Sequence, residues 1–271
     1  VKPASQEKVN PNTVTTNTHQ QRDTLFAQPL GGVGEFQFNE SVANVFPDML
    51  KRSIPGYQAI ISQSGLLASR YAQRDSNLYD LGCSLGATSL SMQQAIVDAR
   101  LNDAQHAQGC VIHGIDNSSA MIDKAVDVIA AQGNNEQLPI ELHCENMQQS
   151  QLSNASVVAL NFTLQFIAPA DRDAMMRSVA DALLPGGVLI ISEKVTFEDP
   201  ALSEMHIDMY HDFKRANGYS DLEISQKRTA LENVLIPDTL EQHAQRFKAA
   251  GFRSSSVWFQ CFNFASLIAI K

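Results

Sequence analysis

Apolar residues recur every three or four positions from Phe38 to Leu50 (Phe38, Val42, Val45, Phe46, Met49), and Asn39 stands where a helix N-cap belongs. The spacing predicts a short amphipathic helix over 38–50. Ser53-Ile54-Pro55-Gly56 interrupts that period, which resumes over 57–71 with Ile60, Ile61, Leu66, Leu67 and Tyr71. Beyond residue 72, short apolar runs alternate with helical ones, the pattern of a parallel sheet covered on both faces. Strands are predicted at 77–81, 109–116, 140–143, 156–161 and 187–192, and helices over 88–99, 119–132 and 169–184. The last helix is expected to end at Leu184-Pro185-Gly186-Gly187, a stop and a turn into the fifth strand. Helical segments over 201–235 and 239–250 follow, and runs at 255–264 and 267–271 close the chain as a hairpin.

The expected architecture is therefore α/β and Rossmann-like. A seven-stranded, mostly parallel sheet forms one domain over residues 22–271, with an N-terminal helical lid at 22–72 and a helical insert at 200–236 after the fifth strand. Residues 1–21, polar and rich in Asn and Thr, read as a disordered tail with no apolar run to serve as a signal-peptide core.

Composition adds exclusions. With 44% hydrophobic and 18% charged residues the chain is ordinary for a globular protein, and no stretch is apolar enough for a membrane span. The net charge of −9 argues against a broad nucleic-acid surface, which needs clustered Lys and Arg. Cys83, Cys110, Cys144 and Cys261 lie far apart without C-x-x-C spacing, so reduced thiols, a cytoplasmic location and no metal are the expectation.

The segment Leu78-Tyr79-Asp80-Leu81-Gly82-Cys83-Ser84-Leu85-Gly86 puts an acid at the end of the first strand, then a glycine loop, then a helix. Gly82 and Gly86 let the backbone turn sharply and approach a ligand, and the helix start offers free N–H groups. A second acid ends the next strand at Asp116-Asn117, where a carboxylate can accept both ribose hydroxyls. The spacing Gly82-x-Ser84-x-Gly86 resembles motif I of class I methyltransferases more than the dinucleotide fingerprint, and it points to S-adenosylmethionine. Ser84 stands in place of the usual middle glycine, and the long gap from Gly86 to Asp116 implies an extra loop near 101–109. On these residues alone, two further readings stay open: a conventional methyltransferase acting on a small acid or on tRNA, and a silent binding subunit. Asn161-Phe162-Thr163-Leu164 lacks the paired prolines of base-amino methyltransferases, which weakens the nucleic-acid option.

Several further runs extend the likeness: Arg22–Phe26, Val45–Met49, Ser53–Tyr57, Leu160–Phe166, HDFKRANGY at 211–219, LEISQKR at 222–228 and WFQCFNF at 258–264. Over residues 22–271 the chain closely resembles the bacterial carboxy-S-adenosylmethionine synthases. That resemblance implies a homodimeric transferase converting S-adenosylmethionine and prephenate to carboxy-S-adenosylmethionine and phenylpyruvate. The product feeds a partner enzyme that builds 5-oxyacetyl uridine at the tRNA wobble position. It implies cofactor contacts from Tyr57, Gly82, Cys83, Ser84, Asp116, Asn117, Asn146, Met147, Asn161 and Arg228, with Asn146 standing where the family often has an acid.

A sulfonium acidifies its methyl protons, so an ylide can capture the carbon dioxide that prephenate releases as it aromatises. Such a site needs fixed cations beside the new carboxylate and must exclude water. The 201–235 insert supplies His211, Lys214, Arg215, Tyr219, Lys227 and Arg228, suited to a dianion; of these Arg228, Arg215 and Tyr219 are taken as catalytic candidates, against the plain alternative of a solvated helical face. Cys83 has no neighbouring His in sequence and reads as a small packing residue. His113 and His143 sit within apolar strands, where histidines are ordinarily satisfied core residues, and neither is assigned a role.

Overall fold

The computed structural model describes residues 21–101, 103 and 105–271, so the tail expected over 1–21 lies, Gln21 apart, outside the described residues. The strands are β1 Asn77–Leu81, β2 Val111–Asp116, β3 Ile140–Cys144, β4 Ala155–Asn161, β5 Leu183–Lys194, β6 Ser254–Cys261 and β7 Phe264–Ile270. They form one sheet in the order β3-β2-β1-β4-β5-β7-β6. The first five run parallel, and β7 pairs antiparallel with both β5 and β6. The helices are α1 Glu40–Ser53, α2 Tyr57–Tyr71, α3 Ala87–Arg100, α4 Ser119–Gln132, α5 Arg172–Ala182, α6 Pro200–Ala216, α7 Asp221–Leu231 and α8 Leu240–Ala250.

Strand periodicity splits the core into two layers. Tyr79, Leu81, Val158, Leu160, Leu189 and Ile191 face α5 and α8, while Leu78, Ile112, Val157, Val188 and Ile190 face α2 and α3. Each fully buried Leu or Ile stabilises the fold by about 1.5–3 kcal/mol relative to exposure. Outward from β1 the connections run to β2 on one side and β4 on the other. The carboxyl ends of β1 and β4 therefore flank the crevice where open α/β sheets bind ligands.

Most predicted elements are present, and the differences have local causes. Asn39 caps α1 by accepting from the Val42 N–H at 3.1 Å. Only part of the expected lid is helical: residues 22–38 run as a strap over α7. There the Gln226 side chain donates to the carbonyls of Phe26 and Gln28 and accepts from the Leu30 N–H. The helix expected over 169–184 is α5, preceded by a 3-10 turn at Pro169–Asp171; Leu183 already pairs with Ala155, so the Pro-Gly-Gly turn sits inside an irregular start of β5. The helical run over 201–235 is broken into α6 and α7 at Gly218, whose φ of +82° no continuing helix allows, and Ser220 restarts it with a capping box to Glu223. The closing hairpin turns at Phe262-Asn263 instead of 265–266. Phe262 takes a left-handed φ of +51°, and Phe264 becomes the first residue of β7, paired with Lys194.

Candidate functional site

The loop after β1 is pinned to the end of β2: the N–H groups of Gly82 and Cys83 both donate to the Ile115 carbonyl, at 2.8 and 3.0 Å. Gly82 has a φ of +75°, and a Cβ there would lie 2.4 Å from the Thr163 hydroxyl, so only glycine lets this loop meet the turn after β4. Ser84, the departure from the usual glycine, is held at φ +53°, a left-handed conformation that costs a non-glycine residue energy. Its N–H donates to Asp116 Oδ2 at 2.9 Å, and Asp116 Oδ1 accepts from the Ser118 N–H at 2.9 Å. Each carboxylate oxygen keeps a lone pair toward the crevice. Burial raises the Asp116 carboxyl above the ordinary range, opposed by those two backbone donors. Asp80, wholly buried, is not free for a ligand. Both the backbone and the hydroxyl of Ser89 donate to its Oδ2, at 2.9 and 2.7 Å, tying β1 to α3, and burial pushes its carboxyl up to about 6.

The remaining cofactor candidates surround this loop unevenly. Asn117 is exposed in the wall of a groove formed with residues 37–40 and the start of α4. Asn146 spends one lone pair of its side-chain carbonyl on the Gln148 N–H at 3.0 Å, and Met147 packs half-buried against the core. Asn161, at the tip of β4, accepts from the Ser192 hydroxyl at 2.7 Å and donates to Thr88 at 3.1 Å, which makes it a junction of three elements. The Tyr57 ring lies 6.3 Å from that of Phe162, and burial followed by the Asp80 charge raises its hydroxyl pKa. Cys83 is buried, and its thiol is pushed far up by desolvation, which suits packing and not nucleophilic attack.

Rings continue from the loop toward a second region. Phe162 stands 6.1 Å from Phe264, and Phe264 stands 5.0 Å from Tyr210 on α6. Around Tyr210 and Tyr219 gather Lys194 from the end of β5, Lys214 from α6, Lys227 and Arg228 from α7, and Arg52 from α1. The Lys194 and Lys214 ammonium groups sit 5.1 and 5.0 Å from the Tyr210 ring centre, and the Arg52 guanidinium lies 3.9 Å from that of Tyr219. Two acids answer five cations: Asp48 bridges Arg52 at 3.1 Å, and Asp23 lies 3.9 Å from Lys227 while accepting from the Tyr219 hydroxyl at 2.6 Å. Among the described residues, Lys194, Lys214 and Arg228 form no ion pair. Burial, then Arg228, lowers Lys194 to about 8; burial, then Lys227 and Lys194, lowers Lys214 to about 7.

Of the three catalytic candidates, Arg228 is exposed and borders this bowl, and Tyr219 forms its wall with a hydroxyl already committed to Asp23. Arg215 is not brought to the bowl. It lies on the outer surface of α6, paired with Asp212 at 2.7 Å and Asp221 at 2.8 Å, because one helical position separates it from the inward-facing Lys214.

A family model described as a methyltransferase domain matches residues 79–189. Human N-acetylserotonin methyltransferase in complex with SAM superposes with a TM-score of 0.55 at 15% identity, covering 93% of this chain and 63% of that one. Magnesium protoporphyrin IX methyltransferase from Synechocystis PCC 6803 with bound SAH gives 0.54 at 15% identity, covering 89% and 90%. These likenesses establish the class I methyltransferase fold. The carboxy-S-adenosyl-L-methionine synthase of Aliivibrio fischeri (strain MJ11) is 53% identical over 249 residues, 92% of this chain and 98% of that protein. The synthase of Idiomarina loihiensis is 47% identical over 251 residues, 93% and 99% of the two chains. The chain belongs to the carboxy-S-adenosyl-L-methionine synthases.

Sequence reasoning did not single out several residues that organise this synthase. Lys194, Tyr210, Arg52 and Asp23 build the bowl from four separate segments, and nothing in their local spacing links them. Glu193 is wholly buried and accepts from the N–H groups of Thr163, Leu164 and Gln165 at 3.2, 2.8 and 3.0 Å, fixing the turn that meets Gly82. Burial pushes its carboxyl up to about 8 against those donors and Arg172. An acid within the apolar run of β5 was the available signal, since buried carboxylates are rare without partners.

Proposed function

We propose that this synthase takes S-adenosylmethionine and prephenate and releases carboxy-S-adenosylmethionine and phenylpyruvate. S-adenosylmethionine lies in the crevice between β1 and β4, its ribose hydroxyls donating to Asp116 and its methionine end against the Gly82–Ser84 backbone. Tyr57, Asn117, Asn146, Met147 and Asn161 border it. The dianion occupies the bowl lined by Lys194, Lys214, Tyr210 and Arg228. One observation carries this reading: three cations without carboxylate partners converge beside an aromatic wall, two of them with depressed pKa values that a bound dianion would restore.

The chemistry balances on these two substrates. Aromatisation of prephenate breaks its ring C–carboxylate bond and expels the ring hydroxyl. The sulfonium methyl gives up one proton, which joins that hydroxide as water, and its carbon forms the new bond to the released carbon dioxide. The bowl's cations hold the dianion and then the nascent carboxylate, and the wall of Phe162, Phe264 and Tyr210 excludes water from the ylide. Arg228 is the residue we assign to the new carboxylate, because a planar fork binds it with two hydrogen bonds and stays charged.

Self-association fits the same picture. α6 buries only Lys214 and leaves Leu202, Met205 and Met209 exposed along one stripe, which supports a homodimer. No helix among the described residues is long and apolar enough to cross a membrane. The net charge of −9 favours a cytoplasmic enzyme that hands its product to a separate tRNA-modifying partner without holding nucleic acid stably.

The test is incubation with S-adenosylmethionine with and without prephenate, read by mass spectrometry. A product heavier than S-adenosylmethionine by one carbon dioxide, formed only with prephenate, is expected. S-adenosylhomocysteine accumulating with a methylated acceptor would overturn the assignment.

A further inference from the structure

β3 passes to β4 without an intervening helix, while α4 packs on the opposite face of β2 and β3. The outer corner of the sheet is therefore left uncovered on one side, and three polar side chains share it. In the parallel register His113 of β2 stands opposite Glu141 of β3, and Ile115 stands opposite His143. The even spacing of 141 and 143 puts their side chains on the same face as that of His113. Neither histidine is the enclosed, satisfied core residue that the apolar strands suggested. Both are half-buried, Glu141 is exposed, and their nitrogens point at each other.

We propose that His113, His143 and Glu141 bind a zinc-class divalent metal ion. His113 Nδ1 lies 3.1 Å from His143 Nε2 and 3.6 Å from Glu141 Oε2, and one donor atom from each residue falls within 4.8 Å of the other two. A tetrahedral zinc with bonds near 2.0–2.1 Å separates its ligand atoms by about 3.3 Å, so these donors already stand close to the edges of such a site. Two imidazoles and one carboxylate suit zinc, nickel or cobalt and not the all-oxygen shells of magnesium or calcium. The fourth position opens to solvent beside Glu141. The donors are also held in place. Tyr79 stacks on the His113 ring at 5.2 Å and 25°, and the Tyr79 hydroxyl donates to the Ser153 carbonyl at 3.2 Å. Neither His113, His143 nor Glu141 bonds to any other side chain among the described residues, so a metal would displace only their mutual contacts. The ion would clip the edge strand β3 to β2, a role independent of the reaction proposed above.

The test uses the full chain, stripped with a chelator and titrated with Zn²⁺ by calorimetry, with bound metal counted by elemental analysis after gel filtration. The wild type should bind one equivalent and melt at a higher temperature with zinc. His143→Ala and the exposed-site variant Glu141→Gln should weaken binding by more than about tenfold, since even outer-shell changes cost that much. Both should lose the zinc-dependent rise in melting temperature while keeping the wild-type affinity for S-adenosylmethionine. Cys144→Ser, whose side chain alternation directs to the other face, should bind zinc as the wild type does. Absence of stoichiometric zinc in the wild type would overturn the proposal. So would binding that survives in both His143→Ala and Glu141→Gln, or binding that disappears in Cys144→Ser.

Discussion

The two halves of the site are built by opposite means. Around the loop after β1, the ligand-facing groups are backbone amides, glycines and carboxylates. Asp80, Asp116 and Ser84 are locked to one another by hydrogen bonds of 2.7–2.9 Å, so this half is organised before any ligand arrives. The bowl around Tyr210 and Tyr219 is the reverse. Its cations come from α1, β5, α6 and α7, and three of them lack a carboxylate partner among the described residues. A neutral nucleoside with a sulfonium needs shape and a ribose clamp, whereas a dianion needs charge that is not already spent. The molecule thus keeps its hydrogen-bonding half satisfied and its electrostatic half under-compensated.

Breaking the preorganised half should have the largest effect. Gly82→Ala forces a Cβ against Thr163 at a φ of +75°, adding strain and overpacking of about 2–4 kcal/mol in total. Denaturant unfolding should show that loss, and calorimetry should show S-adenosylmethionine binding abolished. An alanine variant of wild-type stability would mean that the loop does not need its close approach to the turn after β4.

The bowl can be broken without touching the loop. Arg228→Ala should weaken carboxy-S-adenosylmethionine by roughly 2–5 kcal/mol while leaving S-adenosylmethionine affinity within about threefold, because only the product carries the extra carboxylate. Arg228→Lys should recover part of the loss. The ratio of the two dissociation constants checks this, and an equal loss for both ligands would place Arg228 in the cofactor half instead.

Acidity separates the halves again. Lys214 and Lys194 are lowered to about 7 and about 8 in the free enzyme, chiefly by burial. Each is charged below its lowered pKa and neutral above it, so affinity for the dianion is greatest below pH 7 and falls as pH rises through 7–8. The Michaelis constant for prephenate should rise by about tenfold per pH unit once binding requires uptake of one proton. The dissociation constant of S-adenosylmethionine should stay nearly flat over the same window. The same depression means that folding is less favoured when these lysines must carry charge, so Lys214→Met should stabilise the protein at pH 6 more than at pH 9. Equilibrium unfolding at the two pH values measures the difference.

The smallest effect is expected outside both halves. Arg215→Ala removes only exposed pairs with Asp212 and Asp221, and should change neither prephenate turnover nor the affinity for either nucleoside. A loss of turnover would mean that Arg215 reaches the bowl from the surface of α6.

The sequence by itself determined what short-range spacing can encode. The alternation of strands and helices, the Asp80–Gly86 loop and Asp116 at the end of β2 are contiguous or follow the period of one element, so their roles were legible before any fold was known. The runs HDFKRANGY and LEISQKR likewise marked the insert as the place of anion chemistry. Tertiary structure alone decided which basic residues face inward. Lys214 and Arg215 are neighbours in sequence and similar in charge, yet one is buried against Tyr210 and the other lies in solvent, because a helix turns about 100° per residue and only packing fixes its rotation. Asp23, Arg52, Lys194 and Lys227 meet across more than two hundred residues of chain, and the three donors at the corner of β2 and β3 meet through a strand register. Neither juxtaposition leaves a local signal, since side-chain encounters between distant segments are set by the topology that brings them together and not by their own spacing.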